Sequence, residues 1–217
     1  IIRVSVINGA TSEADIDAAA LGVINAHGAS ALFLGYPSVD GSPAFPACTC
    51  ISVNDEIVHG IPGDRVIRDG DLVSIDCGVK LAGWCSDSAI TIAVGSVRQE
   101  LLGLLATAES MLATAIRMAT PGIAWSEIAE AMQSITLDAG HGLVVAYVGH
   151  GIGRSLHECP QVPNCLTRSL VEQDDFTLRP GMVIAIEPMI TLHGVARDPS
   201  DCLDHEGYPI GIESRRL

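Results

Sequence analysis

Basic residues are scarce in this chain of 217 residues: 12 lysines and arginines stand against 26 aspartates and glutamates, a formal net charge of -14. Without a Lys/Arg run there is no footprint for a nucleic-acid backbone or an anionic membrane surface, so neither is expected as a partner. No uninterrupted apolar run reaches the roughly 18 residues of a membrane span, and no basic segment followed by an apolar core opens the chain as an export signal would. The seven cysteines are odd in number and contain no CxxC pair. That argues against both a disulfide framework and a structural zinc knuckle, and it predicts a reducing, cytoplasmic setting. Two catalytic signatures are missing as well. No GK[ST] follows the glycine-rich stretch, and there is no GxSxG elbow, so activated water is favoured over a covalent nucleophile.

What is present reads as one α+β domain over 1–217, with helices lying on a mostly antiparallel sheet. SEADIDAAALGVINAH has apolar residues at helical spacing and acids in its first turn, and predicts a helix from Ser12. Apolar runs separated by ND, PGD and RDGD turns predict strands, including a hairpin of about 72–80 with 86–94. Ser96 followed by Gln99 reads as a capping box opening a helix that Pro121-Gly122 closes. A second helix is expected over Trp125–Ala139, with Ile128, Met132 and Ile135 on one face. GLVVAYV predicts a strand, and LRPGMVIAIEPMITL a turn and another strand.

Three of these apolar runs are each broken by a single acid: Asp76 in LVSIDCGV, Asp87 in GWCSDSAITI and Glu187 in MVIAIEPMI. A carboxylate in a sheet core is costly unless paired, hydrogen-bonded or bound to a cation. Capping a turn is the alternative for either aspartate alone. Asp76 and Asp87 fall on the two arms of one predicted hairpin, where cross-strand neighbours approach to about 5.5 Å, a separation that suits a shared cation. The stretch YVGHGIGRSLHECPQVPN spaces its glycines as GxGxG and lacks a dinucleotide fingerprint. Its glycines allow tight turns or close approach around His150. His150 would add an imidazole to the carboxylates, a mixed set that favours Mn, Fe, Co or Zn over calcium. His157 and His59 are candidate substrate contacts, and Cys50, Tyr36 and Phe45 candidate pocket residues.

FPACTCISVNDEIVHGIPGDR, DGDLVSIDCGVKLAGWCSDSA, YVGHGIGRSLHECPQVPN and LRPGMVIAIEPM resemble, in order and spacing, successive signature segments of the type I methionine aminopeptidases. The resemblance runs from about Asn8 to Leu192 and leaves 193–217 as a divergent tail. It implies the pita-bread fold, two pseudo-symmetric halves around two divalent metal ions (Co, Mn, Fe or Zn), and removal of the initiator methionine from nascent chains. The implied enzyme is a cytoplasmic monomer in transient contact with the ribosome. The implied ligands are Asp76, Asp87, His150 and Glu187, with Asp87 bridging and Glu187 also moving the proton of the attacking water. His157 would contact the scissile peptide, His59 the substrate near its amino end, and Cys50 and Tyr36 the methionine side chain.

Two departures accompany the resemblance. The family's additional N-terminal helix has little chain to form it, and its SAQ[FY]EHT segment, which carries a second bridging glutamate, is not found. Neither Glu206 nor Glu213 has the neighbours to take that role. The expected fold is therefore incomplete at both ends, with one metal retained rather than two. The alternative function is a catalytically impaired homologue or truncated form acting as a binding module.

Overall fold

A computed structural model of the protein describes residues 11–37 and 43–193. The chain divides into two compact units, one built from the chain up to Gln99 together with Gly153–Leu156, the other from Glu100–Ile152 and the chain from His157 onward.

The first unit opens with α1 (Glu13–Ala26). Ser12 caps it: the Ser12 hydroxyl accepts from the Asp15 N–H at 3.2 Å, and the Asp15 carboxylate accepts from the Ser12 N–H at 2.9 Å. Four strands follow: β1 (Ser30–Ala31), β2 (Cys50–Val53), β3 (Leu72–Leu81) and β4 (Trp84–Ala93). The predicted hairpin is β3 and β4. β4 pairs along the whole of β3, while β1 and β2 share its other edge, all antiparallel.

Register gives the sheet two unlike faces. Ile51 opposes Ile75 and Val53 opposes Val73, with Ile90 and Ile92 across from them on β4. These side chains pack with Ile16 of α1 and Ile67 as one apolar cluster, and Ala20 and Ile24 pack with Cys48, Cys77 and Val79 as a second. By alternation, Cys50, Ser52, Ser74, Asp76, Asp87 and Thr91 line the face opposite this cover. Ser74 and Thr91 hydroxyls are bonded there at 2.8 Å.

Asp17 of α1 ties the helix to the entry of β2. Its Oδ1 accepts from the Cys48 N–H (3.0 Å), the Thr49 N–H (2.8 Å), the Thr49 hydroxyl (2.7 Å) and the Cys48 thiol (3.1 Å). Burial first, and the neighbouring Asp17 second, push the Cys48 thiol up from 9.0 to about 12. Burial likewise raises Cys50 to about 12 and Cys77 to about 11. The folded chain thus keeps protons on thiols that the unfolded chain releases near pH 9, so the native state binds more protons and stability falls as pH rises. The contribution is intact below pH 9 and is lost progressively between about pH 9 and 12. Urea midpoints measured at pH 8 and 10.5 should differ, and the difference should shrink in Cys48→Ala; equal midpoints in the parent chain contradict this reading.

In the second unit, α2 (Gln99–Met118) and α3 (Trp125–Asp138) form the helical layer. α2 begins at Gln99, three residues beyond Ser96, so Ser96 is not its cap; the Ser96 N–H instead donates to Asp69 Oδ1 at 2.9 Å. By length and composition α2 could cross a membrane. It nevertheless carries Glu100, Glu109 and Arg117, and buries Thr107, Met111 and Ala115 along one stripe, the pattern of an amphipathic helix. α3 buries Trp125, Ile128, Ala129, Met132, Gln133 and Thr136. The Thr136 hydroxyl reaches Met111 Sδ at 3.0 Å and the Met132 carbonyl at 3.1 Å.

The strands here are short: β5 (Gly142–Leu143), β6 (Gly149–Gly151), β7 (Glu158–Val162), β8 (Ile184–Ala185) and β9 (Ile190–Thr191). β6 lies between β7 and β8, while β5 pairs β9. GLVVAYV is therefore a strand only at its first two residues, after which a single bond from the Val144 N–H to the Met189 carbonyl at 3.1 Å continues the pairing. The expected strand around Glu187 is two separate pieces in two different sheets. Pro188, which has no N–H to offer a ladder, sits at the break.

Candidate metal centre

In the first unit the candidate residues are arranged by β3 and its neighbours. Asp76 lies opposite Cys50 on one side and Ala89 on the other, and Asp87 lies opposite Gly78. The two aspartates are thus diagonal neighbours on one face rather than directly opposed, a relation that spans about 7–8 Å between backbone positions. Long reach is not needed across this gap if a cation is shared. Asp87 Oδ1 is sealed from solvent. Gly78 matters to this corner although the sequence did not single it out: a Cβ there would meet the Phe33 ring at 2.7 Å. Cys50 is buried, and its raised thiol pKa comes from burial first and then from the Asp76 and Asp87 charges.

His59 sits in the left-handed region at φ +61°. The next residue, Gly60, is pinned to β2 through its carbonyl, which accepts from the Ile51 N–H at 2.9 Å, and its N–H, which donates to the Ser52 hydroxyl at 3.1 Å. A side chain on Gly60 would run into the Ile51 carbonyl. Burial lowers the His59 pKa, which favours the neutral ring. Tyr36 is partly exposed, and its carbonyl accepts from the Phe45 N–H at 2.9 Å, so two of the candidate pocket residues stand side by side.

In the second unit His150 occupies the middle of β6, opposite Gln161 of β7 and Ala185 of β8. Its flanking glycines make neither a turn nor a nest. They sit in extended chain where a Cβ on Gly149 would meet the Ala185 carbonyl and one on Gly151 the Cys159 carbonyl. The glycines let three backbones close around the histidine. His150 is 8% exposed, and its ring meets that of His157 edge-on at 4.4 Å between centroids. His157 itself is exposed.

His150 Nδ1 lies 2.8 Å from the Gly151 carbonyl, and Nε2 lies 3.2 Å from Glu187 Oε1. A carbonyl can only accept, so Nδ1 carries the hydrogen in this contact. In the neutral ring Nε2 then directs its lone pair at a carboxylate oxygen. Two electron-pair donors facing each other need a proton or a metal cation near them, and an Nδ1 anchored to a backbone carbonyl leaves Nε2 as the nitrogen that a metal would take. The residues fit a divalent ion on that ground. Among the described residues no group of three or more such side chains converges; the donors are placed as the Asp76/Asp87 face in one unit and the His150–Glu187 pair in the other. Glu206 and Glu213 lie outside the described residues.

Mixed α and β elements in two units, with Asp76 and Asp87 on strands of one and His150 beside Glu187 in the other, are consistent with the class of a metallopeptidase. The chain belongs to metallopeptidase family M24, whose model matches residues 2–214. Methionine aminopeptidase 1 of Bacillus subtilis is 44% identical over 154 residues, covering 71% of this chain and 60% of its own length. The structure is similar to methionine aminopeptidase from Thermotoga maritima, with a TM-score of 0.78 at 33% identity, covering 94% of this chain and 76% of that one. A prolidase from Pyrococcus horikoshii gives 0.69 at 27% identity, covering 86% and 50%. The fold is accordingly the pita-bread fold. The chain spans about 60% of the length of the curated relatives it matches.

Proposed function

We propose that this chain is a metalloaminopeptidase that removes the N-terminal methionine from nascent proteins in the cytoplasm. The observation that carries the reading is the His150–Glu187 contact, an imidazole nitrogen 3.2 Å from a carboxylate oxygen on a family M24 fold. The greater identity to methionine aminopeptidases than to prolidases supports methionine over proline-directed cleavage.

Asp76, Asp87, His150 and Glu187 would hold the divalent ions. Bound there, such ions lower the pKa of water and polarise a carbonyl. Glu187 accepts the proton of the attacking water and passes it toward the leaving amine. His157, beside His150 at the exposed edge of β6 and β7, hydrogen-bonds the scissile peptide. His59, kept neutral by burial, orients the amino end of the substrate, and Cys50 with Tyr36 contributes to a pocket for an unbranched thioether side chain. A raised thiol pKa keeps Cys50 uncharged beside that side chain. The same four ligands suit Mn or Co, and the chain acts as a monomer.

The test is release of methionine from Met-Ala-Ser together with metal content on the same preparation. Addition of Mn or Co to chelator-treated protein should restore turnover, with at least one equivalent bound. Metal binding without methionine release favours the binding-module alternative instead, while absence of both removes the reading.

A further inference from the structure

We infer that Asn164 is a positioning residue for Glu187: its side-chain amide fixes the peptide from which the carboxylate projects toward His150. The inference rests on the proposed metal-holding role of Glu187.

Glu187 lies between β8 and β9, beyond the last β8 residue, Ala185, and directly before Pro188. Strand pairing at Ile184–Ala185 and at Ile190–Thr191 does not reach it. Asn164 does reach it: its Nδ2 donates to the Glu187 carbonyl at 2.7 Å. That carbonyl can only accept, so the orientation of the Asn164 amide is settled, with Nδ2 toward Glu187.

Asn164 is itself well anchored. The Trp125 indole N–H donates to the carbonyl of the preceding residue, Pro163, at 2.8 Å. Two residues on, the Leu166 N–H donates to Gln133 Oε1 at 3.1 Å. Both partners sit on α3, so the 163–166 segment is fastened to the helix at two points. Cys165, between them, is buried in the same core. The Asn164 amide thus connects the helical layer of the unit to the candidate ligand.

The other half of that amide is revealing. Asn164 is 2% exposed, and its Oδ1 is sealed from solvent with no hydrogen-bond partner among the described residues. A buried acceptor without a donor is destabilising, and an apolar side chain of the same size would remove that penalty while losing one bond. Fold stability alone is therefore indifferent to this asparagine, which leaves its donated bond to Glu187 as what it contributes. His150 needs no such help, since β6 pairing on both sides and the Nδ1 bond orient it. One ligand is aimed by a sheet, the other by a side chain.

The experiment uses the whole chain with Co(II) as the probe. Asn164→Leu should melt within a few degrees of the parent protein without metal, yet bind Co(II) about 10-fold or more weakly, as loss of an orienting partner does. Where methionine release is measurable, kcat should fall with KM little changed. Asn164→Ala covers the case in which leucine does not fit, and it should show the same loss of affinity. Ser126→Ala, which removes a 2.6 Å bond to Asp175 at the start of α3, should alter melting without altering affinity. Parental Co(II) affinity in both Asn164 variants overturns the positioning role while leaving the metal site standing. Failure of the parent chain to bind Co(II) at all overturns both.

Discussion

His150→Ala is expected to abolish stoichiometric metal binding, lowering affinity by well over 100-fold, because even outer partners of metal ligands are worth about 10- to 100-fold. The size of the effect follows from donor chemistry. His150 is the nitrogen donor among the proposed ligands, its ring is held in one tautomer by the Gly151 carbonyl, and its Nε2 is already 3.2 Å from the Glu187 oxygen. Removing the ring deletes the proposed ligand whose orientation the fold already fixes. Methionine release should disappear with the metal. The fold should survive, since β6 keeps its backbone pairing to β7 and β8 with any residue small enough to sit between Gly149 and Gly151. Metal content by mass spectrometry beside a far-ultraviolet melting curve separates the two effects. A variant that retains a full equivalent of metal excludes His150 as a ligand, and one that is unfolded shows that the ring is structural.

Trp125→Ala carries the largest expected cost to stability, about 3–5 kcal/mol for an aromatic ring removed from a core. Trp125 is 0% exposed and stacks on Phe176 at 5.7 Å with planes 5° apart. Its backbone N–H donates to the Phe176 carbonyl and its indole N–H to the Pro163 carbonyl, both at 2.8 Å. Trp125→Phe keeps most of the packing and should cost less, about 1–3 kcal/mol, chiefly for the Pro163 carbonyl left without its donor. The chain has two tryptophans, and the other, Trp84, is 56% exposed in the first unit with the Arg154 guanidinium 3.7 Å from its ring centre. In Trp125→Ala the remaining fluorescence therefore reports on the first unit, while circular dichroism reports on both. Urea unfolding in which the two signals separate identifies the second unit as the one weakened. Parental stability contradicts the assignment of Trp125 to the core.

Long elements with a clear period were legible in the sequence. α1, α3 and the β3–β4 hairpin sit where their spacing puts them, because each is stabilised mainly by its own repeated face. The short strands were not legible. β5, β8 and β9 are two residues each, and what makes them strands is the partner backbone rather than any local alternation. The Ser96 reading failed for a related reason: a serine with Gln99 three residues on fits a capping box, but Asp69 takes the Ser96 N–H and the helix starts later. Gly149 and Gly151 were legible as special positions but not as strand residues, since sequence does not reveal whether a small side chain serves a turn or a close approach.

Among the site residues, Asp76, Asp87 and Glu187 stood out as single charges in apolar runs. Alternation alone could not tell that both aspartates face away from α1, since that depends on which face the helix covers. Asn164 gave no such signal. After a proline and before an apolar pair it reads as an ordinary loop residue, and only the position of the Glu187 carbonyl gives its amide a purpose.

With Glu187 as a metal ligand, as proposed, the break between β8 and β9 would also link cofactor supply to folding. Two strands of two residues hold the chain on either side of Glu187 at few points, so this stretch has little local stability of its own. Any cation gripped by Glu187 and His150 in the native state alone adds RT ln(1 + [L]/Kd) to that stability. Scarcity of metal would then be felt first as loosening of the second unit's sheets, before any loss of its helices, and the protein's lifetime would track the free metal concentration around it.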